Sequence, residues 1–290
     1  MSDRTGINYC DATWNPVTGC TKISEGCWNC WACRLAATRL KNYPRYKGLA
    51  RLRDCTAFDS ERGKPYLSSV PEWTGEVRTH PGLLEQPLHW RKPKRIFVCS
   101  QADLFHKSIP ASFVVSVFEV MSAATQHTFL VLTKRPERIK SVLFGEEGRW
   151  YFGSGDYLPN VWLGVSVEDQ KTADERIPLL LQTPAAVRFV SYEPALGPLD
   201  LRVFDNQKGL DYSVFKNARA LIPDWVIAGG ESGPSPRPAD IAWFRQVRDQ
   251  CQAADMPFFM KQIITNGKKI PWEQFPEDLR IRQFPDKESA

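Results

Sequence analysis

The residues with the greatest chemical potential are four cysteines in one short stretch, WNPVTGCTKISEGCWNCWACRLA. There Cys20, Cys27, Cys30 and Cys33 follow the spacing C-x6-C-x2-C-x2-C. Thiolates this close in one loop can wrap a single soft metal centre, because each turn of chain brings another sulfur inward. Gly19 and Gly26 stand immediately before two of them. A residue without Cβ lets the backbone turn tightly and approach a cluster closely. Three arrangements suit the spacing: a structural zinc on four Cys, an iron–sulfur cluster on four Cys, and an iron–sulfur cluster on three Cys with one iron open to a cofactor. Four inert, buried thiols are the bland alternative, and the density of the cluster argues against it. Spacing constrains ligand number better than metal identity, so all three arrangements stand at this point. Cys10, Cys55, Cys99 and Cys251 are scattered.

A second set of chemical residues recurs at the ends of short apolar runs. Ser100 and Asp103 follow RIFVCS, and Thr133, Lys134 and Arg135 end TFLVLTKR. Ser166, Glu168 and Asp169 end VWLGVSVED, while Ser191 and Glu193 end VRFVSYE. Gly229, Gly230, Glu231 and Ser232 end WVIAGGES, and Lys261 and Gln262 end FFMKQ. Glu168 and Glu193 suit ribose hydroxyls or a substrate amine, and Lys134, Arg135 and Lys261 suit a carboxylate or phosphate. Salt bridges among these residues across the mouth of a barrel are the plainer reading. His106 is an acid–base candidate near neutral pH, although a lone histidine is more often structural.

The elements that must carry these residues are legible from residue 95 onward. The apolar runs start at residues 95, 128, 161, 187, 225 and 258. Most are continuous rather than alternating, as in strands buried on both faces. Helix-like segments lie between them, at Ala111 to Thr125 behind Pro110, Asp169 to Leu181, and Asp240 to Ala254. A step of about 33 residues is a natural βα unit, and repeated units predict a parallel sheet with covering helices. The predicted fold class is therefore α/β, a parallel sheet of about six strands that either closes wholly or partly into a βα barrel or lies open and doubly wound, which the period alone does not separate. In such barrels side chains from different strands converge at the C-terminal strand ends. One domain is expected over 1–290: a Cys-bearing N-terminal segment over 1–94, βα units over 95–262, and a C-terminal tail over 263–290. The first segment reads as irregular, with a short helix over Ala32 to Leu40 and another after Pro81-Gly82.

Composition narrows the classes further. The chain has 290 residues, 42% hydrophobic and 24% charged, which excludes disordered and collagen-like chains. No apolar run reaches about 18 residues, so no membrane span is expected, and the opening MSDRTGINYCD lacks the pattern of an export signal. A reducing cytoplasm is the expected setting, where a Cys cluster means metal binding or catalysis. The net charge of +5 permits an anionic partner without requiring one. The basic run from Arg34 to Arg53, with Tyr43 and Tyr46 between its cations, suits a nucleic-acid backbone and equally an ordinary solvated face. Trp14, Trp28 and Trp31 flank the Cys cluster, to shield it or to stack on adenine, with shielding the expectation.

The segments TWNPVTGC, Cys27-Trp28-Asn29-Cys30, FVCSQADLFH, FLVLTKRPERI, WLGVSVEDQ, FVSYEPALGPLDL, DWVIAGGESG and FFMKQ span Thr13 to Gln262. In these the chain resembles the three-cysteine-motif phage protein family, which is radical S-adenosylmethionine-like. The resemblance implies a partial TIM-like barrel with a 4Fe–4S cluster near its mouth, held by Cys20, Cys27 and Cys30. It makes Cys33 a bystander and leaves one iron for the amino and carboxylate groups of S-adenosylmethionine. The reduced cluster of such enzymes passes one electron to the sulfonium, and a 5′-deoxyadenosyl radical takes a hydrogen from the substrate. The implied cofactor-binding residues are Ser100, Asp103, Lys134, Ser166, Glu168, Glu193, Gly229, Gly230 and Glu231. Radical S-adenosylmethionine enzymes often hold the methionyl amine with a Gly-Gly-Glu, but after an early strand, whereas Gly229-Gly230-Glu231 is late. Their common spacing is C-x3-C-x2-C, so the six-residue first gap here needs a wider loop. Further implications are a one-electron reductant, a small-molecule or nucleic-acid substrate, a possible partner enzyme, and the host cytoplasm if the chain is phage-encoded. A nucleobase or nucleoside, modified in phage DNA, is the substrate this suggests. The alternatives are a non-catalytic zinc or iron–sulfur nucleic-acid-binding module, and a DNA-lesion lyase resembling spore photoproduct lyase.

Overall fold

The computed structural model describes residues 5–59, 64–145, 157–201 and 222–285. Seven strands form one sheet: β1 (Ala12–Trp14), β6 (Arg95–Val98), β7 (Thr128–Thr133), β8 (Val161–Val167), β9 (Val187–Tyr192), β10 (Trp225–Gly229) and β11 (Phe258–Gln262), in that spatial order. Every pairing is parallel. The six predicted runs are all strands. The seventh, β1, was not expected, because three residues, ATW, are too short to show a period. It pairs with β6 through Ala12 and Ile96.

Side chains alternate between two apolar layers, which is why the runs read as continuous. Ile96, Val98, Phe129, Val131, Val190, Val226, Phe258 and Met260 belong to one core, shared with helices. That layer includes Val117 and Phe118 of α2 (Ala111–Ala123), Ile139 of α3 (Glu137–Leu143), Ile177 and Leu180 of α4 (Gln170–Leu181), and Phe244 and Val247 of α5 (Ile241–Ala253). The in-between residues Phe97, Leu130, Trp162, Phe189, Trp225, Ile227 and Phe259 form a second core on the opposite face. Tyr9, just before β1, stacks edge-on against Phe97 of β6 and also against Trp225 and Phe259 of β10 and β11, with ring centroids 6.0 to 6.1 Å apart. One side chain can reach both ends of a seven-stranded sheet only where the sheet is curled, so the architecture is a half-barrel with helices outside. Gly164 of β8 makes room for this inner packing: a Cβ there would lie 2.5 Å from the Phe189 ring.

Helix ends follow local chemistry. Asp169 caps α4, its carboxylate accepting from Thr172 N at 2.9 Å, and Asp240 caps α5 through Ala242 N at 2.8 Å. The C-terminal segment covers the β11 edge: Met260 N donates to Ile281 O at 2.8 Å and Gln283 N to Phe258 O at 3.0 Å. An edge covered in this way is protected from pairing with other chains. Between β1 and β6 lie α1 (Trp31–Ala37), a hairpin of two ten-residue strands, β3 (Ala50–Asp59) and β4 (Lys64–Trp73), and the short antiparallel pair β2 (Val17–Thr18) and β5 (Arg78–Thr79). The N-terminal segment is thus more ordered than its sequence suggested. After Pro81-Gly82 there are two 3₁₀ turns, Pro81–Leu83 and Gln86–His89, in place of the expected α-helix. Among the described residues no helix is long and apolar enough to cross a membrane.

Trp225 is the hub of the inner core, touching Tyr9, Trp162, Phe189, Phe259 and Phe284 with centroids 5.4 to 6.1 Å away. Trp225→Ala is expected to cost about 3–5 kcal/mol, measured as a lower urea midpoint with an unchanged slope.

Candidate cysteine-loop site

The Cys loop leaves the C-terminal end of β1 and lies across the ends of the neighbouring strands. Gly19 opens it at φ +90°, and a Cβ there would lie 2.2 Å from Glu76 O. Only glycine suits that turn. A 3₁₀ turn over Glu25–Cys27 follows, and Cys30 immediately precedes α1 without a side-chain capping bond. All four thiols of the loop are free. Cys20, Cys27 and Cys30 are half-buried, whereas Cys33 is fully buried with Ala36, Tyr46, Leu49 and Trp73 in a small core that Cys20 and Cys30 also touch.

Four strand ends grip this loop. Beyond β6, buried Asp103 accepts from Thr133 Oγ1 at 2.7 Å and pairs with Arg135 Nη1 at 2.8 Å. Arg135, at the end of β7, donates onward to Thr21 O at 2.9 Å and Thr21 Oγ1 at 3.0 Å, and approaches Cys20 Sγ at 3.8 Å. His106 meets Thr21 Oγ1 at 2.8 Å. Burial and Arg135 hold the His106 pKa down, so its ring is neutral and structural. After β8, Glu168 is 1% exposed, accepts from Ser24 Oγ at 2.8 Å, pairs with Arg176 at 3.1 Å, and pairs with Lys134. After β10, Glu231 accepts from Asn29 Nδ2 at 2.7 Å and from Arg237 N at 2.9 Å, and pairs with the Arg237 guanidinium. Arg237 also reaches Glu25 O at 3.0 Å. Burial pushes both carboxyl pKa values up, but Lys134 and Arg176 at Glu168, and Arg237 with Asn29 at Glu231, outweigh it and keep both ionised.

The remaining candidates divide by what they touch. Ser100 Oγ donates to Asn15 Oδ1 at 3.0 Å, and Ser166 Oγ to Glu193 O at 2.9 Å, so both brace neighbouring loops. Gly229 and Gly230 allow close packing: a Cβ would come within 2.6 Å of Glu193 Oε1 at the first and 2.8 Å of Ile264 Cγ1 at the second. Glu193 Oε2 takes Lys261 Nζ at 2.9 Å and Ser191 Oγ at 3.2 Å. Its other oxygen, Oε1, is buried with no partner among the described residues. Trp14 is fully buried in the core shared with the helices and donates to Leu83 O at 2.8 Å. Trp28 and Trp31 are instead 56% and 48% exposed. Ser24, Asn29, Arg176 and Arg237 were missed by sequence reasoning. The available signal was the rule that a buried carboxylate requires hydrogen bonds and a cation.

Three thiols share one loop, and Lys134 and Arg135 bring positive charge to it. Cys20 and Cys27 each feel the charge of the other thiols or of these cations. Among the described residues no three Cys, His, Asp or Glu side chains converge on one point for a single metal ion. A family model described as "Protein of unknown function (DUF5131)" matches residues 4–274, so the chain belongs to that family. No curated protein and no solved structure matches it.

The thiols differ in acidity. Burial pushes Cys20 and Cys33 up to about 12. At Cys27 burial also acts upward, but Lys134 and hydrogen bonds at Ile23 and Ser24 outweigh it, and the pKa falls below its ordinary value. A lowered pKa populates the thiolate at lower pH. In metal-free protein, iodoacetamide labelling read by mass spectrometry is expected to mark Cys27 first. Lys134→Met should move that labelling curve to higher pH and leave Cys33 unlabelled.

Proposed function

We propose that this DUF5131 member is a radical S-adenosylmethionine-like iron–sulfur enzyme on a TIM-like partial barrel, acting on a nucleobase or nucleoside unit. The observation that carries the reading is the division of the cysteines. Cys20, Cys27 and Cys30 keep partial exposure in the loop over the strand ends, while Cys33 is fully buried in the small core against which Cys20 and Cys30 also pack. Three of the four cysteines keep some exposure and Cys33 keeps none.

A 4Fe–4S cluster on Cys20, Cys27 and Cys30, with S-adenosylmethionine bound, supplies one-electron cleavage of a carbon–sulfur bond. The chain's own residues prepare that site. Lys134 and Arg135 offset the negative charge of the thiolates. Glu168 and Glu231, through Ser24 and Asn29, hold the loop on β8 and β10. Of the three strand-end glutamates, Glu168 and Glu231 are filled by protein partners, whereas Glu193 keeps one buried oxygen unpartnered. A buried acceptor without a donor is costly, and a ribose hydroxyl or an amine on a bound ligand answers it. This gives Glu193, with Lys261 beside it, the role of ligand acceptor.

Anaerobic purification followed by iron and sulfide assay tests the reading. About four irons per chain are expected, and dithionite with S-adenosylmethionine should release 5′-deoxyadenosine. Cys27→Ala should lose iron and release, while Cys33→Ala should keep both and lower only the melting temperature. Glu193→Gln should keep its iron and weaken S-adenosylmethionine or substrate binding about tenfold or more, the worth of one hydrogen bond to a charged group. A colourless protein with one zinc and no 5′-deoxyadenosine would replace this reading with the binding module.

A further inference from the structure

Two surface properties concentrate in one region beside the Cys loop. Residues 20–56 hold eight Lys and Arg against two Asp and Glu, a net +6, whereas the whole chain carries +5. The rest of the chain is therefore nearly balanced, and the basic character is local. Exposed apolar side chains gather in the same place. Of the eight large hydrophobics exposed among the described residues, five lie here: Ile23, Trp28, Trp31, Tyr43 and Leu52. Tyr43 is 60% exposed. Exposed apolar side chains gathered among polar and charged ones mark an interaction surface, whereas singly scattered ones do not.

The region is built, not loose. Its underside is the small core of Cys33, Ala36, Tyr46, Leu49 and Trp73, which joins α1 to the β3–β4 hairpin. Thr18 Oγ1 donates to Arg45 O at 3.0 Å, Arg78 Nη1 to Pro44 O at 3.2 Å, and Tyr46 OH to Gln101 after β6. These bonds fix the basic loop beside the strand ends. Lys22 Nζ lies 5.4 Å from the Trp28 ring centroid, so cation and ring are presented together. Arg51 pairs with Glu72 across the hairpin at 2.9 Å. Arg39, Lys41, Lys47 and Arg53 are exposed, and no ion pair engages them among the described residues.

We infer that this apron binds single-stranded nucleic acid and leads it to the Cys loop. Cations along the chain neutralise phosphates, and separated rings offer stacking surfaces to unpaired bases, which a duplex keeps hidden. A lipid surface would call for an amphipathic helix with its rings on one face, whereas α1 has seven residues and the rings lie on a turn, a helix start and a loop. The inference deepens the proposed function by naming the polymer that carries the substrate base. It rests on that reading for the chemistry and not for the surface.

The test is fluorescence anisotropy of the full chain with labelled 20-nucleotide oligothymidine and oligouridine, a 20-base-pair duplex, and phosphatidylserine vesicles. One or both single strands should bind more tightly than the duplex, and the two arms tell DNA from RNA. The triple variant R39E/K41E/K47E should bind at least about tenfold more weakly, with a salt slope shallower by about 2, at unchanged melting temperature and iron content. Tyr43→Ala and Trp28→Ala/Trp31→Ala should weaken binding several-fold without changing the salt slope. The inference is overturned if the wild type fails to bind either single strand, prefers the duplex or the vesicles, or binds as well after the triple charge reversal. Loss of strand binding with 5′-deoxyadenosine release intact would remove this surface alone. Strand binding by a protein without iron or release would remove the radical reading alone.

Discussion

The structure depends on buried carboxylates at strand ends. Glu168 is the clearest: a nearly inaccessible anion pinned by Arg176 of α4, Lys134 of the adjoining strand and Ser24 of the Cys loop. A charge this deep is tolerable only when every partner is present, and removal of one partner of such a pair typically costs about 3–5 kcal/mol. The loop position is therefore coupled to the helix layer through a single side chain. Gly26 shows how tight the coupling is, since a Cβ there would lie 2.5 Å from Glu168 Cγ.

Asp103 and Glu231 repeat the device on either side. Asp103 receives Thr133, the Lys134 backbone and Arg135, and Arg135 passes the constraint to Thr21. Glu231 receives Asn29 and Arg237. An irregular loop that follows a three-residue strand is thus tied at Thr21, Ser24, Glu25 and Asn29, between and beside its thiols. The cations in these ties also set the thiol electrostatics, because Lys134 both holds Glu168 and lowers the Cys27 pKa. Glu193 is the exception, pairing with Lys261 through one oxygen while the other is buried without a partner among the described residues.

Much of this was legible in the chain. Continuous runs such as TFLVLT and WVIAG identify strands buried on both faces, and the polar residues that follow them do gather at one end of the sheet. The strand-end polar residues at Asp103, Arg135, Glu168 and Glu231 were legible as a set, but their jobs were not. A carboxylate that grips a loop and one that keeps an unpartnered oxygen have the same sequence signature, since only the partners differ. The short strand β1 escaped notice because three residues carry no period, and the β3–β4 hairpin because ARLRDCTAFD and KPYLSSVPEW show no sustained apolar alternation.

The sequence by itself determined the parallel α/β plan, the crowding of thiols in one loop and the local excess of positive charge, because burial pattern, spacing and charge are properties of the chain. Tertiary structure alone decided that Cys33 turns into an apolar core, that Trp28 and Trp31 face solvent, and that Glu193 keeps an unanswered oxygen. Each of these depends on which distant side chains arrive at the same place, and contacts such as Glu231 with Asn29, 202 residues apart, exist only once the sheet has curled.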